Sequence, residues 1–287
     1  MRATLAHMTD VAANAAANAS GGRSRGADPR ARVPYALFVP AAIGVLFLIL
    51  PIAGLLIRTP WHQLPSLISS PDVRTALRLS LETATAATAI AIVVGVPIAW
   101  VLARLEFRGR ALLRALITLP LVLPPVAGGI ALLLAYGRRG VLGSEILRVF
   151  GLSLPFTTAA VIVAETFVAM PFLIVSVEGS LRGVDVRYDH AAATLGASRL
   201  FTFVHVTLPM LGPGIAAGAV LCWARALGEF GATITFAGSY PGTTQTMPLQ
   251  VYLALQNNPD AAIALSLVLL VVSVAILAGL RDRWLRA

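Results

Sequence analysis

Three charged side chains stand inside otherwise apolar stretches of this sequence. Glu165 lies within one stretch, and Arg225 and Glu229 lie four positions apart near the end of another, A-R-A-L-G-E-F-G-A-T. A spacing of four places two residues on one face of a helix, where opposite charges partly neutralise each other. Charges inside a membrane are costly and usually mark a function. The arginine, with threonines nearby, could attract an anion; the alternative is a structural ion pair.

Two irregular stretches indicate where a membrane domain would open a path. Glycines on both sides of Glu229 would let the backbone bend there. A second stretch, L-P-L-V-L-P-P-V-A-G-G, has three prolines within six residues. Lipid cannot satisfy the carbonyls that proline frees, so this piece must be covered by protein or line a wet cavity. A proline-kinked packing helix is the alternative. The candidate pathway residues are Pro124, Pro125, Arg225, Gly228, Glu229, Phe230 and Gly231.

The chain contains no set of residues typical of an enzyme. It has no G-x-x-x-x-G-K-S/T phosphate-binding loop, the motif with which many ATPases bind ATP. The four histidines are scattered, and the single cysteine, Cys222, lies inside an apolar run. No Cys/His cluster has the spacing of metal ligands. We therefore expect no catalytic residue, no metal and no bound cofactor in this chain.

The composition is typical of a membrane protein with several spans. Of the 287 residues, 57% are hydrophobic and 12% are charged, whereas a soluble domain has about 25% charged residues. Six apolar runs reach the roughly 20 residues that a spanning helix needs, which predicts an all-α, polytopic fold. The runs are about Tyr35–Ile57, Leu79–Leu102, Leu113–Tyr136, Thr157–Val177, Pro209–Phe230 and Pro259–Leu280.

The arginines predict the orientation of the chain. The two terminal segments and the connections after the second and fourth runs together contain 15 arginines, and the other connections contain six. Because basic residues concentrate on the cytoplasmic side, both termini are predicted to be cytoplasmic. Residues 1–33 have no apolar run and read as a disordered cytoplasmic tail, before a membrane domain at 34–287. The net charge of +9 fits basic loops near anionic lipid better than nucleic-acid binding.

The connection between the fourth and fifth runs, about 182–208, has an organised pattern. Its sequence from Asp189 to Pro209 is D-H-A-A-A-T-L-G-A-S-R-L-F-T-F-V-H-V-T-L-P. The pattern predicts a short helix, a break at Gly196 and a second short helix with Ser198 as its N-cap. Pro209 fits only near a helix start or at a kink. Such an element suits docking to a partner protein, and a plain connecting loop is the alternative.

This connection resembles the cytoplasmic signature loop of bacterial ABC-importer permeases: Glu-Ala-Ala, three residues, Gly, nine residues, then Ile-x-Leu-Pro. Aligned on Gly196, the alanine pair is Ala191 and Ala192, and V-T-L-P closes the motif. His190 stands where the family has Glu, with Asp189 just before it. The resemblance implies a coupling helix that fits a groove on a cytoplasmic ATPase subunit. The implied docking residues are Asp189, His190, Ala191, Ala192, Gly196, Ala197, Ser198 and Pro209.

Other motifs resemble the molybdate-importer permeases and, less closely, the sulfate permeases. A-R-A-L-G-E-F-G-A-T is followed by F-A-G and by P-G-x-T-Q-T-M-P-L-x-V-Y, while L-P-L-V-L-P-P-V-A-G-G and F-V-A-M-P-F also fit. The likeness extends from about Val33 to Leu280. It implies the type I ABC importer permease fold, a permease homodimer in the lipid bilayer, two cytoplasmic ATP-binding subunits and an extracytoplasmic oxyanion-binding protein.

The resemblance therefore implies the permease subunit of an ATP-driven importer in the cell membrane. Molybdate is the expected cargo, with tungstate or sulfate as alternatives, and it would be transported rather than held as a cofactor. The segment Thr233–Asn258 is expected to be the longest outside the cell. It contains a predicted turn at Pro241 and a predicted short helix over Met247–Leu255, and it could touch the donor protein.

Two other classes of function remain open from the sequence. A proton-coupled secondary transporter could use Glu165 or Glu229 as a proton relay, and its uptake would survive ATP depletion. Such transporters often have inverted repeats, and none is evident in this sequence. A channel or membrane scaffold needs no energy input, but it would leave the signature loop without a role.

Overall fold

The computed structural model describes residues 37–284, which are largely helical and contain no β-strand. The predicted all-α fold is confirmed for this part of the chain, whereas the tail predicted for 1–33 lies outside the described residues. The α-helices of the described range are α1 Phe38–Arg58, α2 Leu64–Ser69, α3 Pro71–Arg104, α4 Arg110–Val122, α5 Pro125–Tyr136, α6 Gly143–Phe150, α7 Thr158–Gly183, α8 Arg187–Thr194, α9 Arg199–Thr202, α10 Leu208–Met210, α11 Gly212–Leu227, α12 Gly231–Phe236, α13 Met247–Asn257 and α14 Pro259–Trp284.

Four of these helices, α1, α3, α7 and α14, are long and apolar enough to cross a membrane. Two further pairs pass the same test together but are sharply bent, namely α4 with α5, and the segment Arg199–Met210 with α11. Residues 37–284 therefore provide four candidate spans, or six if each bent pair forms one. The higher number agrees with the six apolar runs of the sequence.

Helix α3 begins well before the apolar run that predicted it at Leu79. Ser70 caps its N-terminus, where the Ser70 hydroxyl accepts a hydrogen bond from the Val73 N–H at 3.4 Å. Pro71 follows in the first turn, where its missing N–H costs nothing. Hydropathy locates only the apolar part of a helix, so this polar beginning lay outside the predicted span.

The predicted break in the third run is confirmed, and it is much sharper than a proline kink. Helices α4 and α5 meet at 120°. Leu123 and Pro124 between them are extended, with ψ of 129° and 133°. Each of these residues precedes a proline, which disfavours the helical conformation. Two consecutive prolines thus turn the expected single span into a broken span or a re-entrant segment.

The fifth run is also divided, contrary to the single span predicted over Pro209–Phe230. A π-helical turn at Phe203–Thr207 leads into α10, and this leading segment meets α11 at 71°. Helix α11 then ends at Leu227, before Glu229, and α12 begins at Gly231. The flexibility expected from the glycines on each side of Glu229 is thus used to end one helix and begin another.

The main core lies where α3, α7 and α11 pack together, within a compact unit that begins at Leu55. Ala84, Ala87 and Ala91 of α3 are fully buried in this core. Such small side chains allow helices to approach closely where lipid provides no hydrophobic driving force. A second cluster, which includes the fully buried Phe236, joins α5, α7 and α12. This second cluster positions the candidate pathway residues.

Candidate functional site

The connection 182–208 folds as the sequence predicts. Helix α8 is followed by Gly196 with a φ of +81°, a conformation that glycine adopts without strain. The Ser198 hydroxyl then accepts a hydrogen bond from the Phe201 N–H at 3.2 Å and caps α9. Pro209 lies in the first turn of α10. The predicted helix, glycine break, N-cap and proline position are all confirmed.

The surface of this connection presents apolar side chains. Leu195 is 88% exposed and Leu200 is 73% exposed, on either side of the glycine break. Exposed apolar residues on a connection can contribute to a surface that binds a partner. The sequence analysis missed both leucines, because the connection contains many other apolar residues. Of the predicted docking residues, His190, Ala191, Gly196, Ser198 and Pro209 are exposed, and Asp189, Ala192 and Ala197 are half-buried.

Asp189 points toward the chain's own helices. Its Oδ2 lies 3.6 Å from Arg104 Nε, and its Oδ1 accepts a hydrogen bond from the Thr207 hydroxyl at 3.1 Å. A cavity of about 380 Å³ lies beside these groups and is also lined by His190 and Trp100. The two neighbouring polar residues therefore differ in their surroundings: His190 is exposed, whereas Asp189 contacts Arg104 and Thr207 of the same chain.

The candidate pathway residues from two different runs come into contact. A β-carbon placed on Gly231 would lie 2.7 Å from Pro125 Cβ, closer than real β-carbons approach. A β-carbon on Gly129 would lie 2.7 Å from Thr235 Cβ. Helices α5 and α12 therefore touch through their glycines. Pro124, at the bend before α5, is exposed in this single chain.

Arg225 and Glu229 form the ion pair that their spacing predicts. Arg225 Nη2 lies 2.7 Å from Glu229 Oε2, and the Glu229 side chain is 1% exposed. Glu229 Oε1 also accepts a hydrogen bond from the Ala232 N–H at 2.8 Å. Glu229 thus neutralises the arginine and caps the start of α12. The Arg225 side chain keeps 27% of its surface exposed in this single chain.

Other charged and aromatic residues are arranged around this pair. Phe230 packs against Tyr252, with their ring centres 5.0 Å apart. Glu165 is 1% exposed in α7, and its Oε1 accepts a hydrogen bond from the Thr83 hydroxyl at 2.9 Å. The other oxygen of Glu165 has no hydrogen-bond partner among the described residues. No basic side chain in the described part of the chain forms an ion pair with Glu165.

One buried acidic residue was not identified from the sequence. Glu178 of α7 pairs with Arg114 of α4 and with Arg182, whose Nη2 lies 2.9 Å from Glu178 Oε1. The side chain of Glu178 is 8% exposed. The spacing of four between Glu178 and Arg182 was a readable signal, but the contact with Arg114 depends on how α4 and α7 pack.

Comparison with protein families identifies the chain. Residues 91–287 match the model for the binding-protein-dependent transport system inner membrane component. The chain belongs to this family. It is therefore a membrane permease, and helices α1, α3, α7 and α14, with the two bent pairs, are its candidate spans. The match includes the connection 182–208, called the docking loop below, and every candidate pathway residue, since all of these lie after residue 91.

Alignments with named relatives cover most of this chain. The chain is 48% identical over 255 residues to the "Molybdenum transport system permease protein ModB" of Mycobacterium tuberculosis, covering 89% of this chain and 96% of the relative. It is 38% identical over 219 residues to the ModB protein of Escherichia coli K12, covering 76% of this chain and 95% of that one. These relatives confirm the resemblance to molybdate-importer permeases.

Solved structures share the fold of this permease. A bacterial ABC transporter involved in the import of the acidic polysaccharide alginate matches with a TM-score of 0.70 at 18% identity, covering 88% of this chain and 94% of that chain. The MetNI methionine ABC transporter in inward-facing conformations matches with a TM-score of 0.53 at 18% identity, covering 76% and 96%. The ABC importer permease fold expected from the sequence is therefore confirmed.

Proposed function

We propose that this chain is the membrane-spanning subunit of an ATP-driven importer that carries molybdate into the cell. The observation that carries this proposal is the 48% identity to a molybdenum transport permease over 89% of the chain. Tungstate and sulfate are the alternative cargoes, because these oxyanions share charge and overall shape with molybdate. An extracytoplasmic oxyanion-binding protein would deliver the cargo and set most of the specificity.

The energy would come from a separate ATP-binding subunit, two copies of which would dock on a permease homodimer. The absence of a phosphate-binding loop from the sequence supports this division of labour. The exposed Leu195 and Leu200 supply an apolar surface on which a partner can dock. In this proposal the connection 182–208 and both chain termini, including the tail at 1–33, lie in the cytoplasm, and the membrane domain spans 34–287.

Transport would proceed by alternating access. ATP binding would bring the two ATPase subunits together and move α8 of each permease. The junction of α5 and α12, where Pro125 meets Gly231, would then rearrange and open the path to the outside. Each ligand must bind one of these states better than the other, because equal binding shifts no equilibrium. The partly exposed Arg225 would attract the anion weakly as it passes.

One observation favours a second candidate, a proton-coupled secondary transporter. Glu165 is buried and has no basic partner among the described residues. Ionisable groups in membrane spans often belong to proton relays. In that mechanism the carboxyl of Glu165 would take up and release a proton during each cycle, and the docking loop would have no role.

Replacing Gly196 with proline is expected to disrupt the docking loop and so uncouple the ATPase subunit from transport. Proline fixes φ near −65° and has no N–H, whereas Gly196 has a φ of +81° and donates a hydrogen bond to the Ala193 carbonyl at 3.0 Å. We expect uptake to fall by more than about tenfold, with normal membrane insertion. Gly196→Asn is the control, because asparagine tolerates the left-handed conformation. Full uptake by Gly196→Pro would count against the docking role.

Replacing Leu195 with aspartate is expected to weaken binding of the ATPase subunit by about tenfold or more. The complex would lose an apolar contact that it buries at the interface, and the new charge would have to be desolvated there. Co-purification and a binding titration in detergent would measure the effect. Leu152→Asp is the control, because Leu152 is also exposed (64%) but lies outside the docking loop. Equal binding by the two variants would contradict docking through Leu195.

The energy source can be tested with purified permease, ATPase subunit and binding protein in liposomes. Labelled molybdate uptake is measured either with ATP at the ATPase face and no ion gradient, or with a proton gradient and no ATP. We expect uptake only in the first condition, with unlabelled tungstate and sulfate as competitors to define the cargo. Uptake driven by the proton gradient alone would overturn the proposal in favour of the secondary transporter.

A further inference from the structure

We propose that Arg104 is a positioning residue that fastens α8, the helix of the docking loop, to the end of α3 through Asp189. This inference rests on the proposed function, because it assumes that movement of α8 drives transport. The resulting cluster of Arg104, Asp189 and Thr207 is called the latch below. Its role would be to make α8, α3 and the start of the fifth span move together.

The first half of the latch joins α3 to the docking loop. Arg104 is the last residue of α3, and its side chain is only 13% exposed. Its Nη2 donates a hydrogen bond to the Val184 carbonyl at 3.2 Å, and its Nε lies 3.6 Å from Asp189 Oδ2. One guanidinium thus holds the chain just before α8 and the first turn of α8 itself.

The second half of the latch joins α8 to the fifth span. The Thr207 hydroxyl donates a hydrogen bond to Asp189 Oδ1 at 3.1 Å, while Asp189 Oδ2 lies within ion-pair distance of Arg104. Thr207 is 2% exposed and ends the π-helical turn that leads into α10. Turns of this kind are rare and occur frequently at functional sites. Asp189 is therefore the point at which three separate segments meet.

The surroundings of the latch partly shield its ion pair from water. Asp189 keeps 31% of its side-chain surface exposed, and the Arg104 side chain is nearly covered. Trp100 and Phe203 pack edge to face with ring centres 5.8 Å apart and line the same cavity as the pair. Aromatic walls lower the local dielectric, which increases the attraction between the charges. Removal of Asp189 would leave Arg104 with a largely covered, unbalanced charge.

The latch also gives a role to the acidic residue that is displaced from its usual position in the signature motif. The motif's acidic position is occupied by His190, and the acid stands one residue earlier, at Asp189. A shift of one position turns a side chain by about 100° around a helix. In the structure His190 is exposed, whereas Asp189 reaches the chain's own arginine. Asp189 therefore acts inside the permease.

A fastening of this kind matters because α8 is short. It has eight residues, and an isolated helix of fewer than about 12 residues is marginal in water. Its buried apolar contacts are few, since none of its residues is buried. Without the latch, a push on α8 would move or unfold the loop locally, and α3 and α11 would not follow.

The test uses the complete reconstituted transporter with Arg104→Ala, Asp189→Ala and the double variant. We measure co-purification of the ATPase subunit, ATP hydrolysis and molybdate taken up per ATP hydrolysed. Each single variant is expected to assemble and hydrolyse ATP, but uptake per ATP should fall about fivefold or more, within the usual range of coupling between sites. The double variant should fall no further than the single ones, because either change releases the same latch.

Two further variants serve as a control for the loss of an ion pair on α3 and as a milder way to break the latch. Arg78→Ala removes an exposed ion pair with Glu82 near the other end of α3 (79% and 56% exposed), so uptake per ATP should not change. If the Arg104 variants fail to fold, Thr207→Val removes only the hydroxyl that binds Asp189. It should still lower uptake per ATP by about twofold or more.

Several outcomes would overturn the latch. Uptake per ATP that is unchanged in Arg104→Ala, or in Thr207→Val, would exclude it. Loss of ATP hydrolysis and uptake in equal proportion would indicate a purely structural role. Multiplicative effects in the double variant would show that Arg104 and Asp189 act separately. Absence of ATP-driven uptake by the unmodified transporter would instead refute the proposed function.

Discussion

Gly231→Ala is expected to reduce molybdate uptake by more than about tenfold. The added β-carbon would lie 2.7 Å from Pro125 Cβ, 3.2 Å from the Val126 backbone nitrogen and 3.3 Å from the Pro125 carbonyl carbon. A proline ring and two backbone atoms cannot yield as a flexible side chain can. Helices α5 and α12 would have to separate, which disturbs the junction where we place the pathway. Overpacking of this kind costs about 1–3 kcal/mol of stability.

The matched control for this prediction is Gly179→Ala. Gly179 lies inside α7, and a β-carbon there would have no neighbour within 4 Å. Alanine is also the better helix former, so this variant should keep full uptake. Both variants are compared by uptake per permease in liposomes and by thermal unfolding in detergent. Normal uptake by Gly231→Ala would mean that the α5–α12 contact is not part of the pathway.

The ion pair of Arg225 and Glu229 has two candidate roles, stabilising the fold and contacting the cargo. Two variants should separate these roles: Arg225→Ala alone, and Arg225→Ala combined with Glu229→Gln. Loss of the arginine alone leaves a carboxylate that is 1% exposed without its partner. We expect a loss of about 3–5 kcal/mol in stability, since breaking a buried pair strands a charge. The double variant should recover stability, because glutamine carries no charge and its carbonyl oxygen can still accept the hydrogen bond from the Ala232 N–H.

Uptake decides between a structural pair and a cargo contact. If Arg225 attracts the anion, the double variant should be stable but still transport about tenfold less than the parent protein. Full uptake by the double variant would make the pair structural only. Arg148→Ala is the control, since it breaks an ion pair whose members are 74% and 57% exposed. Exposed pairs contribute little, so stability should change by less than about 1 kcal/mol.

The sequence predicts most of the fold because the length of an apolar run is a local property. The six runs agree with the four long helices and two bent pairs, and the i, i+4 spacing of Arg225 and Glu229 predicts their ion pair. Ser198 as an N-cap and Gly196 as a break follow from local backbone chemistry in the same way. The prolines predict that α4 and α5 are interrupted, but the 120° angle depends on what the two helices pack against.

The contacts that organise the candidate sites join residues far apart in the chain. The contact of Gly231 with Pro125 depends on the packing of α5 against α12. Arg114 and Glu178 are 64 residues apart, so the sequence around either residue does not predict their ion pair. The same holds for Arg104 and Asp189, because only the fold brings the end of α3 to α8. The exposure of Leu195 is likewise visible only in the structure, because the neighbouring sequence is rich in alanine.

The measurement that tests the account most directly is ATP hydrolysis by the complete transporter in liposomes, with the oxyanion-binding protein on the outside. The permease would link cargo on one side of the membrane to the ATPase on the other. We predict that binding protein loaded with molybdate raises the hydrolysis rate by about fivefold or more, as expected for coupled sites, and that the empty protein does not. An ATPase that ignores the loaded binding protein, or that responds to sulfate alone, would contradict the account.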